Sequence, residues 1–415
     1  MKKITIVGLG YVGMPLAIAF ANKDFDVTGY DISEEVIKRI REGKYPEMVT
    51  NYEIKPIKAT TSPEECLPDS DFIIICVPTP LTQDKKPDVT YIKSACETIS
   101  KYLRKGQVVI TESTGYPGTT EEVIKPILEK SGLKAGVDFG LACSPERLDP
   151  GNKKYPLEEL PKLVAGINKK YGEMARELYS QIIKKVILVS SIKVAETSKV
   201  FENTFRNINI AFVNEMALLA EKMGVNIFEV IDAASTKHGG FLAHYPGPGV
   251  GGYCIPISPF YLNWKANECG FDSEFIKLAD KINSSMPFHV AELIEKSSDK
   301  DDTILILGIT YKANISDARD TPIKDVVGAL KKEGLKIKIF DPYVTIKEFS
   351  GIKIEADLEK AIENSDIIVF TVPHDYFKKL ENIDKLLRDK IIIDACNFFG
   401  SEVGKKYIGL GKPMD

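Results

Sequence analysis

The 415-residue sequence predicts an α/β chain in which two parallel-sheet units flank a helical one. Three observations predict it. Short apolar runs alternate with helical segments up to about residue 190, strand character then falls away until about residue 300, and the alternation returns towards the C-terminus. The chain is longer than one hydrophobic core usually spans, which fits several domains.

Ile4–Val7 is the first apolar run, Pro15–Asn22 reads as a helix and Asp26–Tyr30 as the next strand. Phe72–Val77, Gln107–Thr111 and Phe139–Ala142 are further strand-like runs, and crossover helices between them imply a parallel sheet. Val194–Gly224 then reads as one long helix ending at Gly224, followed by helical Asn226–Ser235 and Phe271–Ser297. Thr303–Gly308, Lys336–Phe340, Ile367–Thr371 and Ile391–Ala395 are strands of the last unit, with a helix beginning at Pro322. The expected domains are 1–193, 194–300 and 301–415. No short-period repeat is visible, and the sequence alone does not relate the two α/β units to each other.

An apolar share of 44% and a charged share of 27% are ordinary for a soluble globular protein. A formal net charge of −4 argues against a nucleic-acid or anionic-membrane binder. Met1-Lys2-Lys3 runs straight into strand-like Ile4-Thr5-Ile6-Val7, so no secretory signal is expected. No stretch reaches the roughly 18 apolar residues of a membrane span. The seven cysteines (66, 76, 96, 143, 254, 269 and 396) form no CxxC pair or zinc spacing. Free thiols, a cytoplasmic location and no metal site are therefore expected.

Gly8-Leu9-Gly10-Tyr11-Val12-Gly13 is a G-x-G-x-x-G that follows a predicted strand and opens a helix, with Asp31 ending the next strand. The first glycine permits the tight turn, the second lets the backbone approach a pyrophosphate, and the third lets helix and strand pack closely. Helix-end N–H groups would face the phosphates. A carboxylate at Asp31 can accept hydrogen bonds from ribose hydroxyls and would repel a 2′-phosphate, so NAD is expected rather than NADP. Thr79 and Thr114 follow further strands. Each fits either a cofactor contact at a strand's carboxyl end or ordinary turn chemistry.

Tyr245-Pro246-Gly247-Pro248-Gly249-Val250-Gly251-Gly252-Tyr253-Cys254 places four glycines before one cysteine. Ser258-Pro259 reads as the N-cap and first residue of the next helix, which would put the thiol just before a helix N-terminus. Two readings fit Cys254: a substrate-accessible nucleophile, or a small buried residue after a tight turn. On the long helix, Lys199, Asn203 and Arg206 fall at i, i+4 and i+7 and share a face, either solvated or lining a buried site. Thiol, ammonium and dinucleotide together suggest alcohol oxidation to an aldehyde, thiohemiacetal formation, a second oxidation to a thioester, and hydrolysis. Lys or Asn would stabilise the oxyanion.

With these motifs in place the sequence resembles the UDP-glucose/GDP-mannose dehydrogenase family over essentially its whole length. The resemblance rests on Gly8–Gly13, Val77–Pro80, Ser113-Thr114, Ser144-Pro145-Glu146-Arg147, the Lys199/Asn203 helix, Gly251–Pro256, and Gly308–Lys312 with Arg319. Ser144–Asn152 and Tyr245–Gly249 are most similar to members acting on UDP-N-acetylglucosamine, with UDP-N-acetylmannosamine next.

The resemblance implies two Rossmann-like domains joined by a central helical dimerisation domain, the last binding the UDP-sugar, in a homodimer. It implies Cys254 as nucleophile, Lys199 and Asn203 at the oxyanion and catalytic water, and Glu146 in proton transfer. It implies Arg147, Leu148, Lys199, Asn203, Arg206, His238, Gly251, Tyr311 and Lys312 at the UDP-sugar. Tyr11, Val12, Asp31, Thr79, Thr114 and Arg319 would lie at NAD. Lys312 and Arg319, by spacing alone, fit surface charge equally well. Two positions depart from the pattern: Ser258 stands where the family usually carries aspartate, and Tyr253 where the N-acetyl branch often has histidine. A UDP-glucose dehydrogenase, a 3-hydroxyacid-type dehydrogenase, which needs no cysteine and no third domain, and a non-catalytic nucleotide-sugar binder are the competing readings.

Overall fold

The computed structural model describes residues 2–45, 54–147, 156–380, 382–399 and 403–413. They fall into two compact units: Met1–Glu202 with Ile257–Asp272, and Asn203–Pro256 with Ser273–Asp415.

The first unit holds an eight-stranded sheet. Its strands are β1 (Lys3–Val7), β2 (Asp26–Tyr30), β3 (Lys58–Thr60), β4 (Phe72–Ile75), β5 (Val108–Thr111), β6 (Gly140–Cys143), β7 (Lys162–Gly166) and β8 (Val186–Leu188). Their spatial order is β3-β2-β1-β4-β5-β6-β7-β8, parallel except at β6–β7. β4 and β5 are buried on both faces, which is why they read as unbroken apolar runs rather than alternating ones. β3 and β8 are three residues each, too short for a pattern to show in the sequence. The chain leaves β1 first towards β2 and later returns to β4 on the other side. That reversal opens a crevice at the strands' carboxyl ends.

In the second unit the parallel order is β10-β9-β13-β14-β15. The strands are β9 (Thr303–Leu307), β10 (Lys336–Phe340), β13 (Ile367–Phe370), β14 (Ile391–Asp394) and β15 (Lys406–Gly409), with a two-stranded hairpin of β11 (Glu348–Phe349) and β12 (Ile352–Lys353). Among the described residues no strand lies between 195 and 300. The helix Ile192–Met223 begins in the first unit, continues into the second and stops at Gly224, whose φ of +68° suits glycine. Asn226 caps the helix Ile227–Ser235, accepting from Phe228 N at 3.0 Å.

Each sheet contains the same local device. In the first, Gly8 N donates to Tyr30 O at 2.8 Å and Leu9 N to Asp31 Oδ2 at 2.8 Å. In the second, Gly308 N donates to Phe340 O at 2.9 Å and Ile309 N to Asp341 Oδ2 at 2.7 Å. Both glycines have φ of +94°. A strand-closing aspartate thus fixes the glycine turn of the neighbouring strand in both units, a kinship the sequence did not reveal.

Helices Ile192–Met223 and Glu274–Lys296 are joined by a buried amide pair. Asn214 Nδ2 donates to Asn283 Oδ1 at 3.0 Å, and Asn283 Nδ2 donates to Asn207 O at 3.1 Å. Asn214 Oδ1 accepts from Gly247 N at 3.0 Å, so the pair also anchors the glycine-rich loop. Asn214→Ala would leave Asn283 and Gly247 each short of a partner. We expect a loss of about 1–3 kcal/mol of stability, read as a lowered melting temperature.

Candidate active site

In the first unit the glycine loop sits at the carboxyl end of β1. A Cβ on Gly13 would lie 1.8 Å from Gly8 O, so only glycine lets the helix Gly13–Ala21 pack this close to the turn. That helix starts at Gly13, two residues before the expected Pro15. A Cβ on Gly10 would meet no protein atom within 4 Å, leaving its backbone open to a ligand. Asp31 is half-buried, with Oδ2 taken by Leu9 N and Oδ1 by Ser33 N at 2.9 Å. Tyr11 is exposed and Val12 half-buried. An open backbone, helix-end N–H groups and an oriented carboxylate fit a dinucleotide with free ribose hydroxyls.

Two other expected positions lie at strand ends of this unit. Thr79 follows β4 and is buried, and its carbonyl accepts from Tyr261 OH at 2.6 Å. Thr114 follows β5 and is half-buried, next to Ser113, whose hydroxyl donates to Val77 O at 2.8 Å. Glu146 and Arg147 lie beyond β6 and are half-buried. The Arg147 guanidinium is spanned by Glu202, Nη2 to Oε1 at 2.7 Å and Nε to Oε2 at 3.2 Å, and donates to Pro161 O at 2.6 Å. Leu148 lies outside the described residues. Lys199, on the helix Ile192–Met223, is buried, which decides against a solvated face at that position.

Two buried carboxyls here escaped sequence reasoning. Glu112, just after β5, is fully buried against Lys162 Nζ at 2.7 Å and accepts from Tyr179 OH at 2.5 Å. Burial pushes its carboxyl up to about 7, against the pull of the Lys162 charge. Glu196 stands one turn before Lys199. It accepts from Gly118 N at 2.6 Å, Thr120 N at 2.8 Å and Thr120 Oγ1 at 2.6 Å. These bonds tie the turn that follows Thr114 to the helix of Lys199. Burial pushes Glu196 up to about 7, opposed by the same three hydrogen bonds. The available signal was position: Glu112 directly precedes Ser113-Thr114, and Glu196 lies at i−3 from Lys199.

The second unit holds the other expected residues. Cys254 is exposed and is the first residue of the helix Cys254–Glu268. The expected helix start at Ser258-Pro259 is therefore corrected: Pro259 lies inside the helix. Lacking an N–H, Pro259 leaves the carbonyl of Ile255 without its helical donor, and Asn207 Nδ2 approaches that oxygen at 3.4 Å. The glycine loop packs on the segment after β9. A Cβ on Gly251 would lie 2.7 Å from both Tyr311 Cβ and Pro322 Cδ, and Gly252 N donates to Asp320 O at 3.0 Å. Gly251 and Gly252 thus pack against Tyr311 in this unit, with Cys254 two residues further along the chain and half-buried Lys312 next to Tyr311 in sequence.

The remaining positions differ in setting. Asn203 is half-buried, while Arg206 and His238 are exposed. Arg319 is exposed and pairs with Asp317, Nη2 to Oδ2 at 2.7 Å, which holds the Asp317 carboxyl below its usual range. Ser258 is buried in the first unit. Among the described residues no group of three or more His, Cys, Asp or Glu could hold a metal, and no helix is long and apolar enough to cross a membrane.

Comparison with known proteins covers nearly the whole chain. Three domain models of the UDP-glucose/GDP-mannose dehydrogenase family match: the NAD binding domain at residues 2–183, the central domain at 193–285 and the UDP binding domain at 305–401. The chain is 38% identical over 427 residues to a UDP-N-acetyl-D-mannosamine dehydrogenase of Pyrococcus horikoshii, covering 99% of each. It is 38% identical over 408 residues to a UDP-N-acetyl-D-glucosamine 6-dehydrogenase of Salmonella typhi, covering 94% of this chain and 95% of the relative. The solved structure of the UDP-D-ManNAc dehydrogenase from Pyrococcus horikoshii superposes with a TM-score of 0.88 at 36% identity, covering 99% of both chains.

The raised Glu196 carboxyl has a stability consequence. A carboxyl whose folded pKa exceeds its unfolded one contributes stability that is full below the unfolded value and lost as pH rises through the folded one. Between the ordinary 4.5 and about 7, Glu196 should therefore cost the fold increasing free energy, on the order of 3 kcal/mol by the alkaline end. Glu196→Gln should flatten that part of a melting-temperature series from pH 4.5 to 8. An unchanged slope would refute the assignment.

Proposed function

Since the chain belongs to the UDP-glucose/GDP-mannose dehydrogenase family, we propose that it oxidises the C6 hydroxymethyl group of a UDP-N-acetylhexosamine to the carboxylate. Membership makes it an NAD-dependent nucleotide-sugar dehydrogenase and decides against the 3-hydroxyacid reading. The observation that carries the proposal is Cys254: an exposed thiol at a helix start, closing a glycine loop packed on Tyr311. UDP-N-acetylglucosamine is the substrate favoured by Ser144–Asn152 and Tyr245–Gly249. The identity to the Pyrococcus horikoshii relative favours the mannosamine epimer as a second reading.

Gly8, Gly10, Tyr11, Val12, Gly13, Asp31, Thr79, Thr114 and Arg319 would hold NAD, which supplies the hydride acceptor for both oxidations. Arg147, Leu148, Arg206, His238, Gly251, Tyr311 and Lys312 would hold the UDP-sugar. The Cys254 thiolate adds to the C6 aldehyde, giving a thiohemiacetal whose oxyanion Lys199 and Asn203 stabilise. Oxidation of that adduct leaves a thioester. Water, oriented by Lys199 and Asn203 and relieved of a proton by Glu146, displaces the thiol and releases the acid. Each sugar consumes two NAD and one water. Ser258 brings no negative charge to Lys199, so the hydrolytic step falls to these groups. The division 1–193, 194–300 and 301–415 assigns cofactor, helical and UDP-sugar domains, and the free thiols fit a reducing cytoplasm.

The test is purified protein with NAD and a panel of UDP-sugars. Two NADH per UDP-N-acetylhexosamine are expected, and the better of the two epimers names the substrate. Cys254→Ser should lose acid formation by at least about a thousandfold, the scale of a removed nucleophile, with NAD affinity unchanged. Full acid production by that variant, or binding of UDP-sugars without any NADH from the wild type, would refute the mechanism.

We also propose a homodimer built on the helix Ile192–Met223. Val194, Phe201, Phe205, Phe212, Leu219 and Met223 are all exposed, at spacings of seven, four, seven, seven and four. Such a seam suits a second helix with the same seam, and a two-fold pair makes the contact self-complementary. At its N-terminal end a shallow groove of about 370 Å³ runs along Ser191, Lys193, Val194, Thr197, Ser198 and Phe201. Phe212→Glu should convert a dimer into a monomer in light scattering behind size exclusion. A wild type already monomeric would end this part of the proposal.

A further inference from the structure

We propose that His374 is a positioning residue that locks the segment Gly308–Asn314, and with it Tyr311 and Lys312, in the form that receives the nucleotide sugar. The inference rests on the UDP-sugar reading given above and extends it to a residue outside that site. His374 has no solvent exposure, and it follows β13 rather than β9.

The proton arrangement follows from the neighbours. The backbone N–H of Asn314 points at His374 Nδ1 at 2.9 Å, and a backbone amide can only donate. Nδ1 therefore carries the lone pair, and Nε2–H donates to Asp341 Oδ2 at 3.1 Å. Asp341 in turn accepts from Ile309 N at 2.7 Å and from Tyr343 N at 2.9 Å. One imidazole thus joins both ends of the segment: its start through Asp341 and Ile309, its end through Asn314. The Tyr343 ring lies 4.9 Å from the imidazole centroid and closes a further side. Outside the core, Asn314 and Asp375 clasp reciprocally, Asn314 Nδ2 to Asp375 Oδ2 at 2.8 Å and Asp375 N to Asn314 Oδ1 at 2.9 Å. Asn314 holds a φ of +62°, an uncommon backbone that such a clasp sustains.

The comparison with the other unit gives the lock its meaning. Asp31 and Asp341 occupy the same place after the second strand of their sheets. Each accepts from the glycine turn and from a residue two positions on. Asp31 is half-buried, as a ribose-binding carboxylate must be, whereas Asp341 is 5% exposed because His374 stands in front of it. Where the first unit leaves its carboxylate partly open, the second has a braced loop. A braced loop receives a ligand without the ordering cost of a free one.

Two variants separate the lock from general stability. His374→Gln can still donate to Asp341 but has only a methylene where Nδ1 accepts from Asn314 N. Asp375→Ala removes half of the outer clasp from an exposed position. The Kd for UDP by calorimetry and the KM for the UDP-sugar should rise about tenfold in the first and about threefold in the second, the scale of one or part of one hydrogen bond. The KM for NAD and kcat should stay within about twofold, a split that uniform destabilisation would not produce. UDP affinity unchanged in both variants, or equal rises in both KM values, would overturn the lock. If His374→Gln does not fold, Asp375→Ala decides alone. A wild type that binds no UDP would instead overturn the functional reading on which the lock rests.

Discussion

A carboxylate at the end of a β-strand, holding the backbone N–H of the neighbouring strand's glycine turn, is the constraint on which this protein's architecture depends. It occurs at Asp31 and Leu9 in one unit and at Asp341 and Ile309 in the other. In both, the turn glycine has a φ that side chains rarely adopt, so the turn is strained for any other residue and needs a fixed partner to keep its shape. Where the carboxylate stays partly open, the turn can offer its backbone to a dinucleotide. Where His374 closes it, the turn becomes a brace for the residues that follow.

A second constraint runs through the helix Ile192–Met223. Its thirty-two residues carry Glu196 and Lys199 in the first unit and Asn203, Arg206 and Asn214 in the second, together with an exposed apolar seam. Within the first unit Glu196 binds the turn after β5, and within the second Asn214 binds the glycine loop before Cys254. A buried carboxylate without a cation costs free energy that its three hydrogen bonds only partly return, which is why its carboxyl is pushed up. The cost is tolerated because a charged acceptor grips two backbone N–H groups more firmly than a neutral one.

Much of the fold was legible. The runs that became β4, β5, β9, β13 and β14 are near-continuous apolar stretches, and those of β1 and β10 alternate apolar with polar residues; neither pattern needs tertiary knowledge. The long helix was legible from its length and its stop at Gly224. The strands that escaped were β3, β7, β8, β11, β12 and β15, which are short or carry polar or glycine residues, and the start of the helix at Cys254 was misplaced. There Pro259 signalled a helix beginning, but a neighbouring asparagine approaches the carbonyl that the proline leaves without a helical donor. Of the site, G-x-G-x-x-G with Asp31 was legible because spacing along a strand, turn and helix is itself geometry. The roles proposed for Cys254 and Lys199 were suggested by the motifs and narrowed by the resemblance, and the one proposed for Glu146 came from the resemblance alone.

The sequence by itself determined the alternation of elements, the dinucleotide turn and the position of a thiol at the end of a glycine run. These are properties of neighbours along the chain, where covalent spacing fixes distance. Only the tertiary structure decided that Glu112 meets Lys162 and Tyr179, that Glu196 meets Gly118 and Thr120, and that His374 meets Asp341 and Asn314. These partners stand tens of residues apart, and nothing in local spacing records which strand end will face which. Burial then holds these side chains in specific hydrogen bonds, because in a poorly solvated interior each must take whatever partner the packing brings.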